Sequence, residues 1–122
     1  MLDHLSIQVE DFTAASAFYD TVLASLGSRR LLDFGEVIGY GDDLPRFWIG
    51  TASDRQPNRP CHIAFTAPDR AGVHAFFDAA VALGADVLHE PRSWPEYHPG
   101  YYGAFVRDPD GNNVEAVFHD FP

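Results

Sequence analysis

The sequence has little cysteine, little positive charge and no long apolar run. Cys61 is the only cysteine, which excludes a disulfide within the chain and is typical of a reducing compartment. The N-terminus has no basic segment followed by an apolar one, so we expect a cytoplasmic protein without a secretory signal. No apolar stretch approaches the roughly 20 residues of a membrane helix, and we therefore expect no membrane partner.

The excess of acidic residues bears on the binding partner. The chain has 8 Lys and Arg against 18 Asp and Glu, a formal net charge of −10. This charge opposes binding to a phosphate backbone, so we do not expect a nucleic-acid partner. The candidate site, and not the charge, predicts a small-molecule substrate. The 122 residues are 46% hydrophobic and 14% aromatic, which predicts a single folded domain with a substantial core.

The first half of the chain predicts a strand, a helix and further strands. Residues 3–9 alternate, with an apolar face and a polar face that carries His4, Ser6 and Gln8. A helix is predicted to follow, capped by Asp11 or Thr13 and closed by Gly27. Residues 29–40 and 46–50 are predicted to form short strands, and residues 51–60 a linker with two prolines.

The second part of the chain repeats the first. A shift of 58 residues places His4 on His62 (62 − 4 = 58), and a shift of 67 places Trp48 on Glu115 (115 − 48 = 67). The two shifts differ because of an insertion at about residues 91–100. The repeat predicts one domain made of two units of a strand, a helix and three strands, at about residues 1–55 and 60–122. The polar faces of their sheets are left to face each other or a cavity.

Two histidines and a carboxylate form a candidate metal site. Equivalent positions in paired repeats lie near a pseudo-two-fold axis, so His4 and His62 could approach each other, and Glu115 lies on the same kind of face. Such a set suits Fe, Mn, Co, Ni or Zn and leaves coordination positions open for substrate. Alternatively, each histidine is an ordinary, partly exposed strand residue. Cys61 precedes His62 and is expected to point to the opposite face, into the core.

The insertion at residues 91–100 is a candidate substrate loop. Its three prolines predict a stiff segment that could cover a cavity and supply Trp94, Tyr97 and His98 to a flat ligand. The alternative is a connector whose aromatic residues pack on the rim. The predicted substrate pocket comprises Ser6, Gln8, Trp48, Trp94 and Tyr97.

Three segments resemble the vicinal oxygen chelate superfamily, which includes glyoxalase I, bleomycin and fosfomycin resistance proteins and extradiol dioxygenases. They are residues 2–5 (LDHL), 61–63 (CHI) and 103–115 (GAFVRDPDGNNVE). The resemblance implies an α+β fold in which two paired βαβββ modules form a curled mixed sheet around a cavity. It places metal ligands at His4, His62 and Glu115, while Trp48 stands at the fourth ligand position of glyoxalase I and departs from that pattern.

The resemblance implies a metal-dependent enzyme that acts on a substrate chelated through adjacent oxygens, with lyase, isomerase, transferase or dioxygenase chemistry open. Glu115, Tyr102 and His98 are the expected catalytic residues, with Tyr101 as an alternative acid or base. A homodimer is expected for so short a chain of two modules. The alternative function is a non-catalytic protein, similar to bleomycin resistance proteins, that sequesters an aromatic or cationic ligand on its aromatic side chains.

Overall fold

A computed structural model describes residues 1–54 and 56–121. Two βαβββ modules follow each other along the chain, as the internal repeat predicts. The first contains β1 (Leu5–Val9), α1 (Phe12–Ala24), β2 (Arg29–Asp33), β3 (Val37–Gly41) and β4 (Phe47–Thr51). The second contains β5 (His62–Thr66), α2 (Arg70–Ala82), β6 (Val87–Ser93), β7 (Tyr101–Arg107) and β8 (Asn113–His119).

Helix α1 begins and ends where the sequence predicts, and α2 follows the same pattern. Asp11 accepts a hydrogen bond from the Ala14 amide at 3.0 Å, and Asp69 accepts one from the Gly72 amide at 2.7 Å. These carboxylates satisfy amides that the first turn leaves without a helical partner. Gly27 and Gly84 follow the two helices with φ of 86° and 80°, a conformation that favours glycine. Within the described ranges, no helix has the length and apolarity needed to cross a membrane.

Each module forms its own four-stranded mixed sheet. The strand orders are β1-β4-β3-β2 and β5-β8-β7-β6, and the first strand of each module runs parallel to the last. The registers place Ser6 beside Trp48 and Ala64 beside Glu115. Trp48 and Glu115 therefore occupy equivalent positions, which agrees with the alignment of the two repeats.

The helix-covered faces of both sheets join in one core. Helix α1 packs against α2, and a single cluster of buried side chains draws on both modules. Its largest fully buried members include Tyr19, Tyr40, Ile49, Phe76 and Val114. The fold class predicted from the sequence is confirmed, but the two sheets do not close around a cavity within the chain. Their uncovered faces, which we call the inner faces, lie outside this core.

The turn between β7 and β8 fastens the second module to the first. The buried Asp108 accepts hydrogen bonds from the Asn112 amide at 2.8 Å and from the Tyr19 hydroxyl on α1 at 2.6 Å. Asp110 accepts one from the Glu10 amide at 3.0 Å. The turn at residues 108–112, which precedes Glu115 in the sequence, thus joins the two modules.

Candidate metal centre

Glu115 lies at the centre of the inner face of the second module. Its side chain is 0% exposed, although β8 places it on the side of the sheet that no helix covers. His62 Nε2 lies 2.8 Å from Glu115 Oε1, and the Tyr101 hydroxyl donates a hydrogen bond to Oε2. Both oxygens of this buried carboxylate therefore have polar partners, as a buried charge requires.

The neighbouring strands make room for this cluster. Tyr101, Gly103 and Phe105 alternate along β7 on the side of Glu115, and Phe105 is its partner in the β7–β8 register. A Cβ atom at Gly103 would lie 3.0 Å from Glu115 Oε2 and 3.3 Å from the Tyr101 ring. Glycine at this position thus leaves the space in which the hydroxyl and the carboxylate meet.

Electrostatics favour a protonated Tyr101 at this position. Burial, followed by the hydrogen bond to Glu115, raises the pKa of the Tyr101 hydroxyl above its ordinary value. Tyr101 therefore stays protonated and donates a hydrogen bond to Glu115 over the physiological range. Tyr101 is the expected alternative acid or base. The signal in the sequence that selects it is the alternation of β7, counted back through the turn from Glu115.

Tyr102, one of the expected catalytic residues, lies outside this cluster. Adjacent strand residues point to opposite faces, and the Tyr102 hydroxyl lies 2.6 Å from His74 Nε2 on α2. The Arg70 guanidinium lies 4.7 Å from the centre of the Tyr102 ring. Tyr102 consequently fastens α2 to its sheet, on the face away from Glu115.

His4 stands apart from His62 and Glu115 within one chain. Its Nδ1 lies 2.7 Å from the carboxylate of the adjacent Asp3, and its side chain is 57% exposed. Among residues 1–54 and 56–121, no three His, Cys, Asp or Glu side chains are grouped so as to hold a metal ion. The structure brings together two of the three predicted ligands.

The inner face of the first module carries aromatic side chains where the second has Glu115. The Trp48 ring lies over Gly39, where a Cβ would come within 2.8 Å of it, and its Nε1–H donates to the Pro45 carbonyl at 3.0 Å. The exposed Phe34 ring lies parallel to it, with centroids 6.3 Å apart. Ser6 and Gln8 are exposed on the same face, as expected from the alternation of β1.

The insertion forms the 94–100 loop, which folds back on the inner face of the second module. Trp94 is buried, and its indole N–H donates to the Gly103 carbonyl at 3.1 Å. It packs on Phe105 and on the exposed Tyr97, with centroids 5.1 and 5.5 Å away. Trp94 therefore serves mainly as an anchor for the loop, whereas Tyr97 is available to a ligand. His98 Nε2 lies 2.9 Å from His119 Nδ1 and does not bond to Glu115.

The prediction that Cys61 lies in the core is wrong. Cys61 is exposed because β5 begins only at the next residue, so the strand alternation does not extend to it. Its amide donates to the Asn112 side chain at 2.8 Å, which ties the start of β5 to the turn before β8. This tie helps to place His62 beside Glu115.

A groove of about 610 Å³ lies between the modules. The first module contributes Leu5 and Phe47 to its walls, and the second contributes Ala64 and Thr66. The last two share a face of β5 with His62. The groove thus extends along the strand that carries a predicted metal ligand.

Comparison with known proteins agrees with this architecture. A glyoxalase/bleomycin resistance protein from Albidiferax ferrireducens has 28% identity and a TM-score of 0.83, covering 96% of this chain and 98% of its own. The lactoylglutathione lyase from Agrobacterium tumefaciens has 25% identity and a TM-score of 0.69, covering 96% and 92%. No curated protein matches the sequence.

A more distant similarity extends to a resistance protein. FosX from Listeria monocytogenes, a fosfomycin resistance protein, has 17% identity and a TM-score of 0.70, covering 96% of this chain and 91% of its own, which shows a shared fold. The model of the family described as glyoxalase-like domain matches residues 4–117, a range that runs from the first predicted ligand to beyond the last. This chain is therefore a member of the glyoxalase-like domain family, within the vicinal oxygen chelate superfamily.

Proposed function

We propose that the protein is a metal-dependent enzyme that binds a small substrate through two adjacent oxygens. The observation that carries the proposal is the pair formed by His62 and Glu115, 2.8 Å apart on an inner face. A fully buried carboxylate against a half-exposed imidazole, whose side chain is 54% exposed, is an arrangement that functional sites favour over ordinary surfaces.

The spacing of the pair fits two ligands of one ion. Two donors that are each about 2.1 Å from a metal, at a right angle, are separated by about 3.0 Å. His62 Nε2 and Glu115 Oε1 lie close to that separation. Imidazole and carboxylate suit Fe, Mn, Co, Ni or Zn. Such an ion supplies Lewis-acid polarisation of a substrate oxygen, or a site for O₂ if it is iron.

Tyr101 supports Glu115 from the other side. Its hydroxyl holds Oε2, which leaves Oε1 directed towards His62. Hydrogen bonds of this kind orient metal ligands and tune their basicity. In the proposed enzyme, Glu115 and Tyr101 together can accept or return a proton at the substrate. Lyase, isomerase, transferase and dioxygenase chemistry all remain compatible with three ligands.

A second copy of the chain would supply the third ligand. Within one chain, His4 lies at the start of the first module, and the described residues contain no group of three possible metal ligands. In a two-fold dimer, the inner face of one first module can cover the second module of its partner. This arrangement would bring His4 from one chain to His62 and Glu115 of the other. Ser6, Gln8 and Trp48 would then form the wall opposite the metal.

Metal content tests the proposal directly. Protein prepared without a chelator or a histidine tag is analysed for bound metals, alongside His62→Ala and Glu115→Gln. We expect about one ion per chain in the parent and a loss of at least about tenfold in occupancy in either variant. His74→Gln is the matched control, because this histidine bonds to a tyrosine on the opposite face. A parent that stays metal-free after incubation with each ion would rule out the proposal.

Mixing two defective variants tests the shared site. His4→Ala and Glu115→Gln should each bind little metal alone. Random exchange of subunits places one intact site in each mixed dimer, so about a quarter of the sites should recover. No recovery, with exchange verified by mass spectrometry, would place all ligands in one chain.

A binding protein without catalysis is the second candidate function. It is favoured by Trp48 at the fourth ligand position, by the parallel Phe34 ring, and by a carboxylate that already has two hydrogen-bond partners. Such a protein would take an aromatic or cationic compound, in keeping with the net charge of −10. Under this alternative, Glu115→Gln leaves ligand affinity nearly unchanged, while Trp48→Ala weakens it by about tenfold or more.

A further inference from the structure

His98 and His119 form a direct hydrogen bond at the end of the inner face of the second module. The two nitrogens, Nε2 of His98 and Nδ1 of His119, lie 2.9 Å apart, and the ring planes differ by 19°. Stacked rings are separated by about 3.5 Å or more, so a nitrogen pair this close requires rings that meet edge to edge. The contact is an in-plane N–H···N bond between two imidazoles.

The protonation pattern of the pair follows from its neighbours. The Gly100 amide donates to His98 Nδ1 at 3.1 Å, so this nitrogen accepts and carries no proton. A neutral His98 then carries its proton on Nε2 and donates it to Nδ1 of His119. The chain of bonds therefore requires both rings to be neutral. A proton on His119 Nδ1 would place two N–H groups against each other, and one on His98 Nδ1 would break the bond from Gly100.

The pair is attached to both sides of Tyr101. His119 is its cross-strand partner in the β7–β8 register, and their ring centroids are 5.1 Å apart. The Tyr101 amide donates to the His98 carbonyl at 3.1 Å, and the Trp94 amide donates to the Tyr101 carbonyl at 2.8 Å. The hydrogen bond between the two imidazoles thus joins the 94–100 loop to β8. This connection lies next to Tyr101, whose hydroxyl donates to Glu115.

We propose that His98 and His119 are positioning residues, whose neutral pair keeps the 94–100 loop closed and the Tyr101 hydroxyl on Glu115. Protonation of either ring opens the loop and releases Glu115 from Tyr101. The consequence for catalysis rests on the proposed function, since Glu115 matters there as a ligand. The hydrogen-bonded pair of His98 and His119, which we call the latch, requires no metal.

The surroundings define the direction of the pH response. Asp120 follows His119 and lines the same surface cleft as His98. Tyr97 contacts Tyr101, and burial, followed by the hydrogen bond to Glu115, raises the pKa of Tyr101, so this hydroxyl stays uncharged. Glu115 lies beyond Tyr101, and Arg92 pairs with Glu96 at the far end of the loop. Because the two hydrogen bonds need neutral rings, protonation of either ring breaks the closed form and its deprotonation restores it.

The buried Trp94 provides a readout of loop opening. The chain has two tryptophans, so Trp48→Phe leaves Trp94 as the only indole. Acrylamide quenching of this protein is measured in the presence of a chelator from about pH 8 to about pH 5. We expect quenching to increase about twofold or more as the pH falls. Nitrogen NMR at high pH should show an unprotonated Nδ1 in His98.

Two further variants separate the latch from a general effect of pH. The combined changes His98→Gln and His119→Gln retain an amide donor and an amide acceptor but do not titrate, so quenching should stay low and flat. His74→Gln should keep the response of the parent. A rise of equal size in the double variant, or no rise in the parent, overturns the proposal. Metal analysis of the same proteins reports separately on the proposed function, because the quenching experiment uses metal-free protein.

Discussion

The Tyr19 hydroxyl donates a 2.6 Å hydrogen bond to Asp108 and thereby links a helix of the first module to the last turn of the second. Asp108 also accepts bonds from the Asp110 amide and from the backbone and side chain of Asn112. Burial, followed by the charge of Asp108, raises the pKa of Tyr19 well above its ordinary range, so this phenol remains a donor.

Replacement of Tyr19 by Phe should therefore destabilise the protein. The change keeps the ring in the core and removes one bond to a buried carboxylate, a loss of about 1.5 to 3 kcal/mol in the free energy of unfolding. Urea denaturation measures the difference. Tyr97→Phe is the control, because this exposed ring should change stability by less than about 0.5 kcal/mol. Equal effects of the two changes would contradict the structural role of Tyr19.

Gly103→Ala should disturb the carboxylate cluster. The added methyl group would lie 3.0 Å from Glu115 Oε2, so Tyr101 or Glu115 must move, with a loss of about 1 to 3 kcal/mol in stability. Metal occupancy should fall as well under the proposed function. Gly50→Ala is the control, because it makes the same change where the nearest atom to the added methyl group would be 3.6 Å away, on Val37. Thermal unfolding of both variants tests this. If Gly103→Ala does not lower the melting temperature, the site has space for the added methyl group.

Asp110→Asn should stabilise the protein at neutral pH. Partial burial, followed by the charges of Asp108, Glu10 and Asp11, raises the pKa of Asp110. The folded state therefore binds this proton more tightly than the unfolded state. The resulting stabilisation is present below the unfolded pKa, and it is lost as the pH rises through the folded value.

The amide removes that unfavourable charge and keeps an oxygen for the Glu10 amide. We expect a gain of up to about 0.5 kcal/mol at pH 7, which disappears near pH 3. Urea midpoints at the two pH values provide the measurement. Asp78→Asn makes the same charge change at an exposed position on α2. A gain of the same size there would attribute the effect to net charge alone.

Trp48→Glu should add a fourth ligand if the metal is shared between two chains. The registers make Trp48 the counterpart of Glu115, so a carboxylate there would face the ion from the partner chain. We expect metal affinity to increase by about tenfold or more, measured by competition with a chelating dye. Trp48→Leu controls for the loss of the ring and its contact with Phe34. If both variants bind metal equally well, position 48 lies away from the ion.

The sequence predicts the elements and the inner-face positions well because both depend on local rules. Alternation along β1 and β5 assigns a face to each residue, and the repeat pairs Trp48 with Glu115. The alternation does not apply to Cys61, because this residue precedes the first residue of β5. Cys61 is exposed. Tyr101 and not Tyr102 shares the face of Glu115, because alternation along β7 through the β7–β8 register separates adjacent residues onto opposite faces.

The arrangement of the modules is not a local property. Periodicity shows that His4 and His62 both lie on polar faces, but it does not show whether those faces meet within a chain. That depends on long-range contacts such as the bond from Tyr19 to Asp108, which are 89 residues apart in sequence. The packing of α1 against α2 then directs the inner faces away from the common core.

The shared core also has an evolutionary consequence. The side chains that stabilise the fold lie on the helix-covered faces, while most of those that could meet a substrate lie on the opposite side of the same strands. Substitutions at exposed positions such as Ser6, Gln8 and Phe34 should change stability little. New specificities can therefore accumulate on this scaffold with few compensating mutations. Glu115 differs from these exposed positions because it is fully buried. A substitution at Glu115 would require changes in the residues that enclose it.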